Sequence, residues 1–289
     1  MNISQLPLRN GESLYLQGES TGSCADLGIL DRLLSLETGD LPSGIVPEVI
    51  LRQMVPPTDP GEMYPLVRGK RLHVFFDRVT TSVQMYVLHD ISREDLLNYC
   101  TLLRYTLAYG VLAGILRGKP VTLVHCSLLE THAGAMMICG ESGVGKSTTA
   151  RRWCAAGGIC YGDDMILLES REDGFYCHPL PTWSACSVSL DGKYYPFSPG
   201  RRLVGVLGLS RGKECEEIKP LLAHEFFAQI YRALYYFQYA YIQYFPLEQQ
   251  KYLTAHLQQL TERLTAEFPA RGLFAHLDGD IRSTLKDYL

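Results

Sequence analysis

The sequence predicts an α/β fold built around a phosphate-binding loop, on three observations. A short apolar run, Ala135–Cys139, ends directly on Gly140. The residues Gly140, Glu141, Ser142, Gly143, Val144, Gly145, Lys146 and Ser147 fill the pattern G-x-x-x-x-G-K-[ST] at every position. A helical stretch from Thr148 to Ala156 follows, closed by Gly157-Gly158. Another apolar run, Ile159 to Leu168, is then interrupted by Gly162-Asp163-Asp164. Strand, glycine loop, helix and strand in that order is the grammar of an α/β sheet.

Composition sets the frame for that core. A chain of 289 residues holds one large domain or two modest ones, and 46% apolar with 20% charged residues describes an ordinary globular protein. Lysine and arginine total 27 against 31 acids, a net charge of −4, so bulk electrostatics favour neither nucleic acid nor an anionic membrane as partner. The first residues lack a basic segment followed by an apolar one, and nine cysteines lie scattered without a CxxC pair. Both point to a cytoplasmic protein with reduced thiols.

Ahead of the loop, the first sixty or so residues are weakly patterned, and Pro56 to Gly61 reads as a loop. Leu72–Phe76 and Ser82–Leu88 are candidate strands, rich in β-branched and aromatic residues. Ser92-Arg93-Glu94-Asp95 suits a helix start that leads into the apolar segment Leu96 to Leu116. That segment is long enough for a bilayer, but Asn98 and Arg104 would be costly in lipid, so a buried core helix is expected. The expected division is an N-terminal α/β region at 1–91 and a catalytic domain with C-terminal helices at 92–289.

Just ahead of the loop, Val121–Leu129 reads as a further apolar run, and well past it Leu203–Leu209 reads as a strand after a loop-rich stretch. The rest reads as helical, with Leu253, Leu257, Leu260 and Leu264 on one face. Half of the positions from Phe226 to Phe245 are Phe or Tyr, and Phe227, Tyr231 and Tyr235 fall at i, i+4, i+8. The expectation is a helix buried against the sheet, with some tyrosines at its rim.

The chemistry starts at the loop. Glycines let successive N–H groups point inward around phosphate oxygens, and the helix N-terminus adds partial positive charge. Lys146 is placed to reach the β/γ-phosphates, and the Ser147 hydroxyl to ligate Mg²⁺. At a strand end, Asp163 and Asp164 together suit metal binding and proton acceptance. On the residues alone the alternatives stay open: a solvated acidic turn for the aspartates, a core histidine for His125, a solvated turn for Arg201-Arg202.

His125-Cys126-Ser127-Leu128-Leu129-Glu130, then MMICGESGVGKST, YGDDM and Pro199-Gly200-Arg201-Arg202-Leu203-Val204, follow one another over roughly residues 120–210. In order and spacing this region resembles the HPr kinase/phosphorylase catalytic domain. The resemblance implies a P-loop kinase core of that type, using ATP and Mg²⁺. Gly140 through Thr148 would cradle the nucleotide, and Ser147 and Asp164 would hold the metal. Asp163 would be general base toward an acceptor serine hydroxyl. His125 would lie beside the reacting phosphate, and Arg201 would neutralise charge there.

Thr148 stands where the bifunctional enzymes usually carry glutamate. Their E-I-R-G-L-G segment is replaced by His178-Pro179-Leu180-Pro181-Thr182-Trp183-Ser184, and residues 1–91 do not look like their regulatory domain. These departures speak against reverse phosphorolysis and against HPr as substrate. The pattern is closer to stand-alone HPr-kinase-like proteins found with ribosomally made, modified peptides. The expected partner is a protein or peptide bearing a serine, and a homo-oligomer is compatible with the sequence. Two other readings remain: a nucleotide-dependent peptide carrier without phosphotransfer, and a kinase of a small-molecule alcohol.

Overall fold

In a computed structural model of the chain, residues 2–9, 11–19, 23, 27–28, 31–32, 34–59, 61–69, 72–88, 96–181 and 195–285 are described, without the side chains of 37, 96–100 and 237. The architecture is mixed α/β. Two compact units emerge: Met1–Val121 with Ala185–Pro199 and Gln238–Leu253, and Thr122–Ser184 with Gly200–Phe237 and Thr254–Leu289.

In the first unit, the described strands are β1 (Asn2–Pro7), β2 (Ser13–Gly18), β3 (Glu37–Gly39), β4 (Val49–Arg52), β5 (Met63–Arg68), β6 (Leu72–Asp77) and β7 (Ser82–Val87). They form one sheet in the order β3-β1-β2-β4-β7-β6-β5. β2–β4 and β4–β7 are parallel, the other pairs antiparallel. β6 and β7 match the two strands expected there. Asp77 fixes the turn between them by accepting from the N–H groups of Val79 and Thr80. Four strands lie in the first sixty residues, where the sequence looked weakly patterned. Their inward positions include Ser4, Ser13 and Gln17, and a polar residue facing inward erases the alternation that marks a strand.

Helix α1 (Leu96–Leu116) is apolar around much of its circumference; Leu102, Leu103, Leu107, Tyr109, Val111, Leu112 and Ile115 are all buried. That is the core helix expected for this segment, and no helix among the described residues is long and apolar enough to cross a membrane. The expected start at Ser92 to Asp95, and with it the boundary at residue 92, lies outside the described residues. Tyr109 packs edge-on against Tyr241 at 5.3 Å between centroids.

The second unit contains β8 (Val121–Val124), β9 (Cys126–Thr131), β10 (Gly134–Cys139), helix α2 (Lys146–Ala155), β11 (Cys160–Gly162), β12 (Ile166–Arg171), β13 (Gly174–Pro179), β14 (Arg201–Arg211) and β15 (Glu217–Pro220). Helices α3 (Ala223–Ile242) and α4 (Leu247–Glu267) follow, their residues Gln238–Leu253 belonging to the first unit, then β16 (Arg271–Ala275) and α5 (Ile281–Thr284). The sheet runs β11-β9-β10-β14-β13-β12-β8, with β16 beside β14 and β15 beside β16. β10 lies parallel to β14 and antiparallel to β9. Ala150 and Trp153 of α2 bury against Leu129, Met136, Ile138, Leu207, Leu209 and Leu273. This packing fixes the helix over the sheet and so fixes the loop between β10 and α2.

Two expectations change. The run Val121–Leu129 is two strands, because the His125 N–H donates to the carbonyl of Ala233 rather than to a neighbouring strand. The run Ile159–Leu168, expected to break at Gly162-Asp163-Asp164, is indeed two strands parted by the aspartates. The C-terminal part is not all helix: β15 and β16 extend the sheet, and the five residues of β16 are too short an apolar run to announce a strand. Phe226, Ile230, Ala233 and Leu234 of α3 are buried as expected, while Phe227, Tyr231 and Tyr235 are half-buried and stack on one another at 6.3 and 5.5 Å.

Candidate functional site

The loop from Gly140 to Gly145 joins β10 to α2, and α2 begins at Lys146, two residues earlier than the sequence suggested. Gly143 and Gly145 take φ of 78° and 120°, where a side chain would be strained. Glu141, Ser142 and Gly143 are exposed, and Val144, Gly145, Ser147 and Thr148 half-buried. The loop is braced from outside: Arg211 Nη2 donates to the Gly143 carbonyl at 3.0 Å, and Arg232 of α3 pairs with Glu141. No side chain among the described residues caps the N-terminus of α2, which leaves its partial positive charge toward the loop.

Lys146 is buried, and its Nζ donates to the carbonyls of Gly140 at 2.9 Å and Glu141 at 3.0 Å. Burial lowers its pKa, against an opposing pull from Cys139, Cys126 and Asp164. Cys126 and Cys139 are direct cross-strand neighbours on β9 and β10. Both are buried, and burial pushes the Cys126 thiol up, so these are packing residues.

Asp163 and Asp164 sit between β11 and β12, Asp163 half-buried and Asp164 buried. His125 Nδ1 lies 2.9 Å from the Asp164 carbonyl and 3.5 Å from its Oδ1. A carbonyl only accepts, so Nδ1 carries the proton, and in the neutral ring Nε2 is the basic nitrogen. The other side of the imidazole stacks on exposed Tyr236, with 4.7 Å between centroids and 26° between planes. Asp164 thus contacts His125 and lies near enough to Lys146 to favour its charged form.

Arg201, the first residue of β14, lies with its guanidinium carbon 3.8 Å from the centroid of the Tyr161 ring, just ahead of the aspartates. Its Nη1 is buried and meets no hydrogen-bond partner among the described residues. Tyr161 donates its hydroxyl to Glu130; its pKa is raised by burial and by Glu130, with Arg201 opposing. Tyr161, Arg211, Arg232 and Tyr236 escaped the sequence reading. The first adjoins the aspartate motif and Tyr236 lies in the aromatic run, but nothing in the sequence pairs Tyr236 with His125 or Tyr161 with Arg201.

These residues suit a group rich in anionic oxygens. Among the described residues, a helix N-terminus without a side-chain cap, a buried ammonium held on its own loop's carbonyls and a guanidinium nitrogen without a partner all gain from anionic oxygens. No group of three or more His, Cys, Asp or Glu able to hold a metal exists among the described residues. One hydroxyl and one carboxylate, Ser147 and Asp164, nonetheless fit Mg²⁺, which keeps waters and takes its other ligands from phosphates.

Residues 101–287 match the family model described as SynChlorMet cassette protein ScmC. No curated protein shows significant similarity to the chain. Among solved structures, the Hpr(Ser) kinase/phosphatase from Coxiella burnetii aligns at 17% identity over 35% of this chain and 70% of that one, with a TM-score of 0.23. Since the family model spans well over half of its length, the chain belongs to the SynChlorMet cassette protein ScmC family.

Proposed function

We propose that this protein is an ATP- and Mg²⁺-dependent kinase that phosphorylates a hydroxyl, a serine of a protein or peptide. The observation that carries the reading is the place of Asp164, between β11 and β12, in contact with His125 and close enough to Lys146 of the glycine loop to favour its charge. When bound, Mg²⁺–ATP supplies the transferable phosphoryl group and the metal's charge.

The chain's residues do the rest by placement and charge. The loop amides and Lys146 bind the phosphates, Lys146 exchanging its bonds to Gly140 and Glu141 for phosphate oxygens. Ser147 and Asp164 would hold the metal. Asp163, more open to solvent than Asp164, takes the proton of the acceptor hydroxyl as its oxygen attacks phosphorus and ADP leaves. Arg201 stabilises the charge that builds on the transferred group. The family description, a cassette protein, supports a peptide or protein acceptor.

The test is ADP release and product analysis with Mg²⁺–ATP, offering serine-bearing peptides and simple alcohols in parallel. Asp163→Asn is expected to lower transfer by about 100-fold or more while leaving ATP affinity within about twofold. Equal losses of binding and transfer would make Asp163 a metal or folding residue. Transfer to alcohols alone would replace the peptide acceptor with a small molecule.

A further inference from the structure

A long arginine side chain is not aimed by its backbone alone, and two sets of contacts converge on Arg201. Its backbone is set by β13: Arg201 lies opposite Cys177, and Gly200 sits so tightly on His178 that a Cβ there would fall 2.6–2.7 Å from ring atoms. His178 is itself fixed by a 3.1 Å contact between Nε2 and Glu169 Oε2, both side chains fully buried. The guanidinium is set separately, by the ring of Tyr161.

That ring is held at both ends. Its backbone belongs to β11, which pairs with β9, and its hydroxyl donates to Glu130 of β9. A guanidinium stacked on an aromatic ring uses its face for the contact and keeps its in-plane N–H groups for acceptors. Arg201 keeps one such group, the buried Nη1 that meets no partner among the described residues.

We propose that Tyr161 is a positioning residue: its ring, tethered through Glu130, holds the Arg201 guanidinium with an N–H edge presented to a phosphate oxygen. The identity of that oxygen, as part of the transferred group, rests on the kinase reading above. The short strand β11 leads directly into Asp163 and Asp164 and also carries the platform for the arginine. One element thus sets both the proton acceptor and the cation.

The experiment compares the full-length protein with Tyr161→Phe, Tyr161→Leu, Arg201→Ala and the Tyr161→Leu/Arg201→Ala double variant. Thermal melting and ATP affinity serve as controls for folding. Tyr161→Leu is expected to lower kcat about 10- to 100-fold with little change in the KM for ATP, as a misaimed group does. Tyr161→Phe keeps the ring and should recover to within about fivefold of the parent, the remainder reflecting the lost bond to Glu130. The double variant should be no slower than Arg201→Ala, because the two residues act as one unit.

A second arm does not depend on turnover: Arg201 is labelled with phenylglyoxal and mapped by mass spectrometry, with and without inorganic phosphate. Phosphate should protect Arg201 severalfold in the parent and in Tyr161→Phe, and not in Tyr161→Leu. Unchanged kcat and unchanged protection in Tyr161→Leu, or losses that multiply in the double variant, would overturn the proposal. A parent protein that transfers nothing would sink the kinase reading; the labelling arm would still decide, with phosphate protection lost in Tyr161→Leu supporting the hold on Arg201 and protection absent from the parent refuting it.

Discussion

Two buried charge clusters, one in each compact unit, show how differently this chain treats ionic groups. In the first unit Glu48 is closed on itself. Its side chain is 1% exposed and accepts from the Tyr15 N–H at 2.6 Å, with Arg117 at 2.9 Å and Lys119 at 3.0 Å. Arg117 also donates to the carbonyls of Val46, Pro47 and Thr80. In the second unit Lys146 turns back on the carbonyls of its own loop, the helix it opens is uncapped, and one nitrogen of Arg201 meets no partner among the described residues. A buried charge with a full set of partners is a structural joint, since removing either side leaves the other stranded. In the kinase proposed above, these left-over groups are the ones that would meet the phosphates.

That contrast is sharpest in what each cluster should do when cut. Asp163→Asn is expected to have the largest effect, a fall in transfer of about 10²- to 10⁴-fold typical of a lost general base, with the urea midpoint unchanged. Lys146→Ala should weaken ATP about 100-fold or more by calorimetry, since it removes a buried cation from the phosphates. Glu48→Ala should do the reverse: about 3 kcal/mol lost in urea unfolding, with ATP affinity untouched. A Glu48 variant that is stable but inactive would erase the distinction between the two clusters.

Smaller effects probe the second unit more finely. Gly200→Ala forces a methyl against His178 and should cost about 1–3 kcal/mol of stability, with a partial loss of kcat through Arg201. The smallest expected effect concerns pH. The lowered pKa of Lys146 means the native state binds fewer protons there than the unfolded chain, in the window between that pKa and the ordinary lysine value. Stability of the nucleotide-free protein should therefore rise with pH through that window. Lys146→Met should flatten that rise, which paired urea titrations at several pH values would reveal.

Much of the second unit was legible because its residues announce their local geometry. Gly143 and Gly145 adopt positive φ, as their spacing in the glycine pattern suggests, and the run ending at Cys139 is the strand that leads into that loop. His125 was visible as a histidine in an apolar run, yet its departure from the strand was not, because the Ala233 carbonyl that captures its N–H lies far along the chain. Tyr236 and Tyr161 were hidden for the same reason: stacking on His125 or Arg201 leaves no local pattern. In the first unit β1 and β2 blurred into loop, since buried Ser4, Ser13 and Gln17 interrupt the apolar alternation. The membrane-length segment resolved correctly from the cost of two polar residues, an argument that needs no tertiary information.

The most direct test of the central claim is intact-mass spectrometry of a serine-bearing peptide encoded beside this chain's own gene, incubated with the protein and Mg²⁺–ATP. The peptide should gain one phosphoryl group with the parent protein and none with Asp163→Asn. An unchanged peptide mass, with ATP demonstrably bound, would contradict that claim and leave a nucleotide-dependent carrier or a small-molecule kinase in its place.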